Sequence, residues 1–488
     1  MIKGKRRNQW ILGGAGLLAA AAMANTAHAQ SSDRLLDALI KKGILTSDEA
    51  QQIKSEETTN TLAASKFKIS NGIKSMELFG DLRFRYEYRG AEAPNAEKLV
   101  RERYRYAVRI GIRGDLLDNF YYGLRLETST TNPRSSWVTF GDSTAGPSNQ
   151  GPFSKNSAAI AIGQVYAGWR PEKWLDITVG KMPNPIYTTP MVWDPDLNPE
   201  GAAERFKYPV GKANLFATFG QFLYQDTDPD HPAPGILGTG NNTSDAFMLV
   251  WQFGADYQFR DRMSAKMAPT FYNYTGHGQN GKAAGFTGPF VGQGSAADSN
   301  GFVSGTGFGV NQTGINDLLI FELPAEFNFP VGRLSGKVFG DFAYNFQGDR
   351  RAAAAANAVA GTAFAFPKQT GEDKAYQVGF AIGNTPGLAP AAVKKGSWEA
   401  RAYWQHTEQY SVDVNLIDSD YFEGRANLEG IYSSFSYNFS DNISGAVRYG
   451  YANRINKALG TGGSNADLPQ INPINNYQIL QLDLVYKF

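Results

Sequence analysis

From about residue 72 to the C-terminus, apolar and polar side chains alternate along the chain with a period of two. The first such stretch has an apolar or aromatic face formed by Leu78, Gly80, Leu82, Phe84, Tyr86 and Tyr88. Its other face is mainly charged and carries Phe79, Asp81, Arg83, Arg85, Glu87 and Arg89. Because successive side chains of a β-strand point to opposite faces, this pattern predicts strands with one apolar and one polar face.

Alternation alone also fits a soluble antiparallel sandwich. Three features favour a transmembrane barrel instead. The predicted strands run about 10–16 residues, which is longer than the usual soluble strand of about 5–6. Their ends are rich in Trp, Tyr and Phe, as in the aromatic girdles of membrane barrels. Short turns also alternate with long polar loops along the chain.

The connections set the number of strands. Short turns are predicted near 115–119, 171–173, 260–262, 330–333 and 440–442, with a longer connection on the same side at 384–395. Long loops are predicted near 90–99, 131–156, 183–200, 226–243, 276–314, 348–374, 410–423 and 457–475. Strict alternation requires two strands between the third and fourth of these loops, and 201–208 and 213–225 supply them around a turn at 209–212.

Eight long loops and seven short turns predict sixteen strands, and an even number is typical of bacterial single-chain barrels. The predicted fold class is therefore all-β: a 16-stranded antiparallel transmembrane β-barrel that spans residues 71–488. Barrels of about 16–18 strands enclose an aqueous lumen.

Arginines indicate which face is the lumen. Five of them share one parity in the predicted strand at 100–113, and each would cost about 2–4 kcal/mol if it faced lipid near the midplane. Two or three such penalties rival the whole stability of an ordinary domain, about 5–15 kcal/mol. A dry core would leave the charges without partners. We therefore predict one basic, pore-lining wall, formed by Arg83, Arg85, Arg101, Arg103, Arg105, Arg109 and Arg125.

The loop 183–200 contains five prolines, which fix φ and stiffen it, and it has no basic residue. Its acidic residues Asp194, Asp196 and Glu200 predict an infolded constriction loop that faces the basic wall, an arrangement that sets ion selectivity. Seven basic groups against three acidic ones predict a mild preference for anions. An ordinary rigid surface loop fits the same residues.

Asp194, Asp196 and Asn198 have the spacing of oxygen ligands in calcium loops. The glycine turn and the terminal bidentate Glu of such loops are missing, so no metal and no cofactor are expected.

The first 29 residues predict a cleaved signal peptide. Lys3, Lys5, Arg6 and Arg7 precede the apolar run Trp10–Ala24, and Ala27-His28-Ala29 forms the cleavage site. A membrane anchor is the alternative, but the run is shorter than the roughly 18 residues that a spanning helix needs. Residues 30–70 predict a short periplasmic segment with two helices and a linker, because apolar residues recur there at helical spacing.

Composition narrows the function. The chain has 47 basic and 46 acidic residues, and loss of four basic residues with the signal peptide changes the net charge from +1 to −3. This balance argues against nucleic acid as a partner. With no cysteine, disulfides, thiolate metal sites and cysteine nucleophiles are excluded.

An enzyme is not expected. The histidines after the signal peptide, His231, His277 and His406, are isolated, and no G-x-S-x-G motif is present. An outer-membrane hydrolase built around His406 is the remaining enzymatic alternative.

Two other kinds of barrel are less well matched. A plugged transporter would need a plug domain of more than a hundred residues before the first strand, but only about 40 residues lie between Gln30 and that strand. An adhesive barrel would not explain the arginines.

The whole arrangement resembles the bacterial putative porin family. The resemblance covers the signal peptide, the leader LLDALIKKGILTSDEA, the first strand GDLRFRYEYR, the VGKMPNP and WDPDLNPEG segment, and the final LDLVYKF. It implies an outer-membrane porin of a Gram-negative bacterium that lets small hydrophilic solutes and ions diffuse passively, and often a homotrimer embedded in outer-membrane lipid. A phosphate-, anion- or carbohydrate-selective porin is the closest alternative, because arginines can bind oxyanions.

Outer-membrane barrels of this kind commonly end in Phe after alternating apolar residues. Leu482, Leu484, Tyr486 and Phe488 match that ending. The resemblance implies that these four residues form the signal recognised by the barrel assembly machinery.

Overall fold

The computed structural model describes residues 72–129, 135–141, 159–226, 245–275, 318–358, 368–388, 393–461, 468, 471 and 473–488. The chain divides into two compact units, 1–71 and 72–488, and all described residues belong to the second. The predicted signal peptide and periplasmic helices lie outside the described residues, so both stay predictions.

Sixteen antiparallel strands form one sheet in the described part of the chain, and two of them are interrupted once. They are β1 (Glu77–Glu92), β2 (Lys98–Asp115), β3 (Phe120–Ser129), β4 (Ala159–Glu172), β5 (Leu175–Lys181), β6 (Glu200–Val210), β7 (Ala213–Gln225), β8 (Ala246–Arg260), β9 (Met263–Met267 and Thr270–Thr275), β10 (Leu319–Glu322 and Ala325–Val331), β11 (Leu334–Asn345), β12 (Lys374–Gly383), β13 (Trp398–Thr407), β14 (Leu428–Asn438), β15 (Ile443–Arg454) and β16 (Asn476–Lys487). The predicted all-β, 16-stranded barrel is confirmed, and the two strands that strict alternation required are β6 and β7.

Proline explains both interruptions. Pro269 breaks β9 and Pro324 breaks β10, where each lacks the N–H that a ladder needs. Their carbonyl groups stay in use, because Pro269 O accepts from Phe253 N at 3.0 Å and Pro324 O accepts from Ala268 N at 3.1 Å. The sheet therefore continues across both breaks.

The first and last strands close the barrel. They pair from Asp81 opposite Lys487 to Glu92 opposite Asn476. At the seam Gly80 N donates to Phe488 O at 2.9 Å, and Phe488 N donates to Gly80 O at 3.1 Å. A Cβ on Gly80 would clash with the backbone oxygen of Arg109 on β2 and would lie 2.6 Å from the Phe488 ring, so a glycine suits the close approach of the strands here. Closure therefore leaves neither β1 nor β16 as a free edge of the described sheet.

The sheet alternates between an apolar outer face and a polar inner face. On β2 the large side chains Tyr104 and Ile110 are exposed on the outside, whereas Arg103 and Arg105 are buried inside. Ring pairs such as Phe120–Trp169 and Trp174–Phe206 lie on the outer surface near the short turns. They fit the aromatic girdle of a membrane barrel.

The described parts of the connections contain a few short regular elements. One helix, α1 (Gly348–Ala358), follows β11, and 3-10 turns lie at Leu117–Asn119, Pro386–Leu388 and Phe422–Gly424. A two-residue strand, Val138–Thr139, pairs with Arg105 and Tyr106 of β2, on the long-loop side of the residues of β2 that pair with β3. Among the described residues no helix is both long enough and apolar enough to cross a membrane.

The direction of the barrel can be tested by labelling, since the chain has no cysteine of its own. Asn95 lies on the long-loop side, and Asp261 and Asn442 lie in exposed short turns on the other side. Long loops face the cell exterior in such barrels. A membrane-impermeant maleimide on intact cells should therefore label Asn95→Cys and should not label Asp261→Cys or Asn442→Cys. Labelling of Asn442→Cys on intact cells would contradict this orientation.

Deletion of Phe488 should lower the amount of protein in the outer membrane without affecting export. The seam loses both backbone hydrogen bonds between Gly80 and Phe488, and the predicted assembly signal loses its last residue. Immunoblots of separated periplasm and outer membrane measure the effect, with Lys487→Gln as the control that keeps the terminal Phe. Normal outer-membrane levels of the truncated chain would contradict the prediction.

Candidate functional site

Pairing of β1 with β2 and of β2 with β3 brings the predicted basic residues together on one inner wall. Arg85 lies opposite Arg105, and Arg89 lies opposite Arg101. Arg85, Arg89, Arg103, Arg105 and Arg109 are each 7% exposed or less, whereas Arg83, Arg101 and Arg125 are partly exposed. Like charges directly opposite each other are destabilising, so this arrangement needs acidic partners.

Glu87 is the first of these partners. It is completely buried between the arginines, and its Oε1 lies 2.6 Å from Arg103 Nε and 2.9 Å from Arg89 Nε. Arg105 Nη1 lies 3.6 Å from its Oε2. Arg85 Nη1 also lies 3.8 Å from Oε2. One carboxylate is therefore shared by four guanidinium groups, which reduces the repulsion that the alignment of the arginines creates.

Two further carboxylates converge on Arg85. Asp483 on β16 accepts a two-pronged hydrogen bond from it, Nε to Oδ1 at 2.7 Å and Nη2 to Oδ2 at 3.0 Å. Asp420, from the loop between β13 and β14, accepts from Arg85 Nη1 at 2.7 Å. The Arg85 guanidinium also lies over the Trp137 ring, 4.1 Å from its centre. Such paired geometry is the strong form of a charge-assisted hydrogen bond.

The part of the basic wall nearer the short turns also consists of ion pairs. Arg83 Nε lies 2.6 Å from Asp81 Oδ1, and Arg125 Nη2 lies 3.0 Å from Glu127 Oε2. The basic wall therefore carries acidic partners along its length. The alternation of apolar and polar positions places Glu87 and Asp483 on the inner face of their strands. Asp420 lies in a loop without such alternation, so the sequence did not predict its contact with the basic wall.

The segment 182–199, which connects β5 and β6, crosses the inside of the barrel. At one end Asp196 Oδ1 accepts from Arg109 Nη2 of β2 at 2.6 Å. At the other, Thr188 Oγ1 donates to Glu322 of β10 at 2.6 Å and Thr189 Oγ1 donates to Asp341 of β11 at 2.5 Å. Since β2 and β10 are eight strands apart in a sheet of sixteen, the segment joins opposite walls.

Apolar packing holds this segment in place. Its buried side chains Met191, Val192 and Trp193 lie in one cluster with Phe222 of β7 and Met248 of β8. Full burial of side chains of this size contributes about 1.5–3 kcal/mol each. The inner face of this part of the barrel is therefore a packed core rather than open lumen.

A second connection, residues 408–427, joins the first inside the barrel. Asp194 N donates to Leu416 O at 2.6 Å, and Asp418 N donates to Pro190 O at 3.0 Å. Ser419 N donates to Asp194 Oδ2 at 3.2 Å. Residues 182–199 and 408–427 together are called the loop layer below.

The three acidic residues predicted for the constriction lie in different environments. Asp196 reaches the basic wall through Arg109. Asp194 is buried among the backbone groups of the loop layer, where its side chain accepts from Asp196 N and Ser419 N. Glu200 is the first residue of β6 and pairs with Lys181 at 2.9 Å on the outer surface. The geometry therefore brings only Asp196 into contact with the arginines.

Burial changes the protonation of the loop-layer carboxyls. It raises the pKa of Asp194 from 3.8 to about 7, assisted by the nearby charge of Asp196. Burial, with the charge of Asp194, also raises the pKa of Asp418 well above its usual value. Burial acts in the same direction on Asp420, but the adjacent Arg85 guanidinium outweighs it and holds the pKa of Asp420 below its usual value.

The residues considered for metal binding and for hydrolysis have the following neighbours. Among the described residues no group of three or more His, Asp or Glu side chains could hold a metal ion, and Asn198 donates from Nδ2 to Asp196 O and accepts from Gln164. His406 lies on the strand β13, where the carboxylates of Glu429 and Glu408 are its charged neighbours at 2.9 and 3.5 Å. His231 and His277 lie outside the described residues.

The C-terminal side chains Leu482, Leu484, Tyr486 and Phe488 are all exposed on the outer face of the barrel. Their role in assembly stays a prediction.

Comparison with known proteins finds a match to the family described as "Putative porin", over residues 94–287 and 328–488. Comparison with curated protein sequences finds no match. Among solved structures, the chain is similar to OmpT of Vibrio cholerae, with 9% identity, 86% of this chain and 100% of that chain covered, and a TM-score of 0.39. It is also similar to a Rhodopseudomonas blastica porin, with 12% identity, 85% of this chain and 100% of that chain covered, and a TM-score of 0.37. A third similar structure is Salmonella typhi OmpF in complex with daunomycin, with 10% identity, 86% of this chain and 99% of that chain covered, and a TM-score of 0.40.

The buried Asp194 predicts that stability falls as the pH rises. In the unfolded chain this carboxyl ionises near pH 3.8, whereas in the folded protein it keeps its proton up to about pH 7. Folding is therefore disfavoured increasingly between about pH 4 and 7, and the loss is complete above that range. Asp194→Asn should reduce the difference in unfolding temperature between pH 5 and pH 8, measured by circular dichroism.

Glu200→Gln is the matched control for that experiment, because Glu200 is exposed on the outer surface and takes no part in the loop layer. An unchanged pH dependence in Asp194→Asn would show that the Asp194 carboxyl is not held protonated in the loop layer.

Proposed function

Because the chain belongs to the putative porin family, it is an outer-membrane channel protein, and we propose that its lumen lets small hydrophilic solutes and ions cross by passive diffusion. The observation that carries this proposal is the loop layer, which narrows the barrel from one wall to the other while charged side chains beside it stay in reach of water. These side chains belong to Arg125, Glu127, Asp196 and Asp420 and retain exposures of 14, 15, 24 and 30%.

The narrowest part is proposed to lie where the loop layer contacts the basic wall. Two ion pairs join them, Arg109–Asp196 and Arg85–Asp420. In each pair a buried guanidinium contacts a carboxylate that is partly exposed, at 2.6 Å for Arg109–Asp196 and 2.7 Å for Arg85–Asp420. These pairs therefore fix the distance between wall and loop layer and present charges of opposite sign to a passing solute.

Charge selectivity is proposed to be weak. The arginines outnumber the acidic residues of the constriction loop, but Glu87, Asp483 and Asp420 also contact them. A phosphate- or carbohydrate-selective channel is less well supported, because the guanidinium groups that would bind an oxyanion already donate to carboxylates of the protein.

The family and the sequence pattern support further proposals about the setting. The chain is exported by its signal peptide, inserted by the barrel assembly machinery into the outer membrane of a Gram-negative bacterium, and assembled there as a homotrimer. No catalytic role is proposed for it.

Substitution at the constriction should change the ion selectivity. Asp196→Asn with Asp420→Asn removes two water-accessible carboxylates next to the arginines, so the reversal potential in a salt gradient should shift towards anions. Arg103→Ala with Arg105→Ala should shift it towards cations. Both shifts should shrink at about 1 M salt, where charges are screened over about 3 Å. Planar-bilayer recordings of single channels measure them.

The control is Glu200→Gln, which removes a carboxylate that the sequence pattern assigned to the constriction and that lies on the outer surface. Its reversal potential should equal that of the parent channel. If neither pair of substitutions moves the reversal potential at low salt, the constriction lies elsewhere.

A further inference from the structure

A cavity lies inside the barrel on the short-turn side of the segment 182–199. Its volume is about 380 Å³, within the range of roughly 300–1,000 Å³ that is usual for small-molecule sites. The first residues of that segment, 182–185, line one side of it. The inward side chains that matter for binding come from β1 to β6, and they are Glu77, Arg113, Tyr121, Tyr166, Arg170 and Arg205.

Two tyrosine rings form an aromatic face of the cavity. Tyr121 lies opposite Gly168, and Tyr166 lies opposite Gly123. A Cβ on either glycine would clash with the ring across from it, so each ring lies against the barrel wall over a residue without a side chain. The ring centres are 6.3 Å apart in an edge-to-face arrangement. Glycine at these two positions therefore keeps both rings against the wall and the cavity open.

Three guanidinium groups border the same space and are in reach of water. The side chains of Arg113, Arg170 and Arg205 are 53, 50 and 33% exposed. The Tyr166 hydroxyl lies within electrostatic range of all three. Arg170 also lies over the Tyr121 ring, 4.0 Å from its centre. The cavity thus combines aromatic surface with positive charge.

The carboxylates beside these arginines already accept hydrogen bonds. Both oxygens of Glu77 accept from Arg113, at 2.7 and 3.0 Å. Asp176 accepts from the Tyr121 hydroxyl at 2.5 Å through Oδ1 and from Arg205 Nη2 at 2.7 Å through Oδ2. Each of these oxygens therefore has a donor within the protein.

Guanidinium N–H groups, in contrast, remain available. Arg170 has five N–H donors, and its two printed contacts, Nη1 to Asp115 Oδ1 and Nε to Asp176 Oδ2, are both 3.4 Å long, beyond the usual range of about 2.7–3.2 Å. The other oxygen of Asp115 accepts from Ser75 at 3.1 Å. Among the described residues the buried Nε of Arg205 has no hydrogen-bond partner. The surplus of donors over acceptors favours a ligand that is rich in acceptor oxygens.

The charge around the cavity has the same sign preference. An adjoining cavity at the barrel mouth shares Arg170 and Arg205 with it, and its described lining adds the lysines Lys74, Lys173 and Lys207 and the carboxylate Glu172. These three ammonium groups outnumber the added carboxylate. An anion is therefore attracted to this side of the lumen.

We propose that the cavity binds small organic carboxylates and prefers those that carry an aromatic ring. The carboxylate accepts from Arg170 and Arg205, and the ring packs against Tyr121 and Tyr166. This inference rests on the channel function proposed above and names a class of solute for the same lumen. The constriction is unlike the cavity, because carboxylates of the protein hold its guanidinium groups at 2.6–2.7 Å.

The first experiment measures binding of 4-fluorobenzoate to the full folded chain in detergent by fluorine NMR line broadening. 4-Fluorobenzamide has the same ring without the charge and should bind about tenfold more weakly, because hydrogen bonds to ionised groups are the stronger ones. Unlabelled benzoate should displace the probe at lower concentration than acetate does. Equal binding of acid and amide, or binding of neither, would overturn the site, and equal displacement by acetate would overturn the preference for a ring.

The second experiment changes the sign of the effect at one contact. Arg170→Gln removes the least strongly held guanidinium and should weaken binding of 4-fluorobenzoate by about tenfold. Asp115→Asn removes a carboxylate that competes for Arg170, so it should strengthen binding. Heat-dependent gel mobility verifies that each variant is folded.

Matched controls separate a site from general attraction to a basic barrel mouth. Arg333→Gln removes an exposed arginine from the short turn between β10 and β11, and Asp118→Asn removes an exposed carboxylate from the turn between β2 and β3. Both should leave the affinity unchanged. Equal effects of Arg170→Gln and Arg333→Gln, or of Asp115→Asn and Asp118→Asn, would overturn the cavity as the binding site.

Planar-bilayer recordings distinguish this inference from the channel function on which it rests. A parent chain that conducts ions but does not bind 4-fluorobenzoate would overturn the cavity alone. A folded parent chain that binds the probe but does not conduct would overturn the channel function and leave the binding site in place. Loss of both would overturn both proposals.

Discussion

The structure depends on closure of the sheet between its first and last strands. In the hydrocarbon of a membrane no water is available to the backbone, so each N–H and C=O must find a partner within the protein. In the described sheet the other neighbouring strands follow one another along the chain, whereas β1 and β16 are the first and the last strand, and their pairing supplies the partners of both. The same closure brings Asp483 next to Arg85, although 398 positions separate them in the sequence. The seam therefore determines both the stability of the barrel and the charge pattern of one wall of its lumen.

Inside the barrel, the position of the loop layer is decided by two kinds of contact acting at opposite walls. Apolar side chains such as Trp193 pack against β7 and β8, which removes them from water without directional constraint. Asp196 and Asp420 form ion pairs with Arg109 and Arg85, which are directional and fix the spacing to the basic wall. Packing on one side and ion pairs on the other hold the loop layer across the inside of the barrel.

The polar groups of the interior form a network whose members depend on one another. Glu87 is shared by several arginines, and Arg85 is shared by Asp483 and Asp420. A partly satisfied buried network is costly, since each unpaired charge carries its full desolvation penalty. The wall is therefore better understood as a paired network that orders the loop layer than as a row of independent cations.

The sequence by itself determined the strands, their number and the face that each side chain takes, because these follow from a local rule. A charge on the lipid face is penalised wherever it occurs, so alternation is imposed strand by strand, and the inward direction of Arg103 and the outward direction of Tyr104 could be read from the sequence. Tertiary structure alone decided which groups meet. Asp420 comes from a loop without periodicity, and Asp483 arrives through closure. Glu200 was expected at the constriction as part of a loop, but it is the first residue of β6. The strand therefore sets the direction of its side chain, which is outward. In a strand, a shift of one position would reverse that direction. Contacts between distant segments depend on where strands begin, how the sheet closes and how loops pack inside it, and none of these is a local property of the chain.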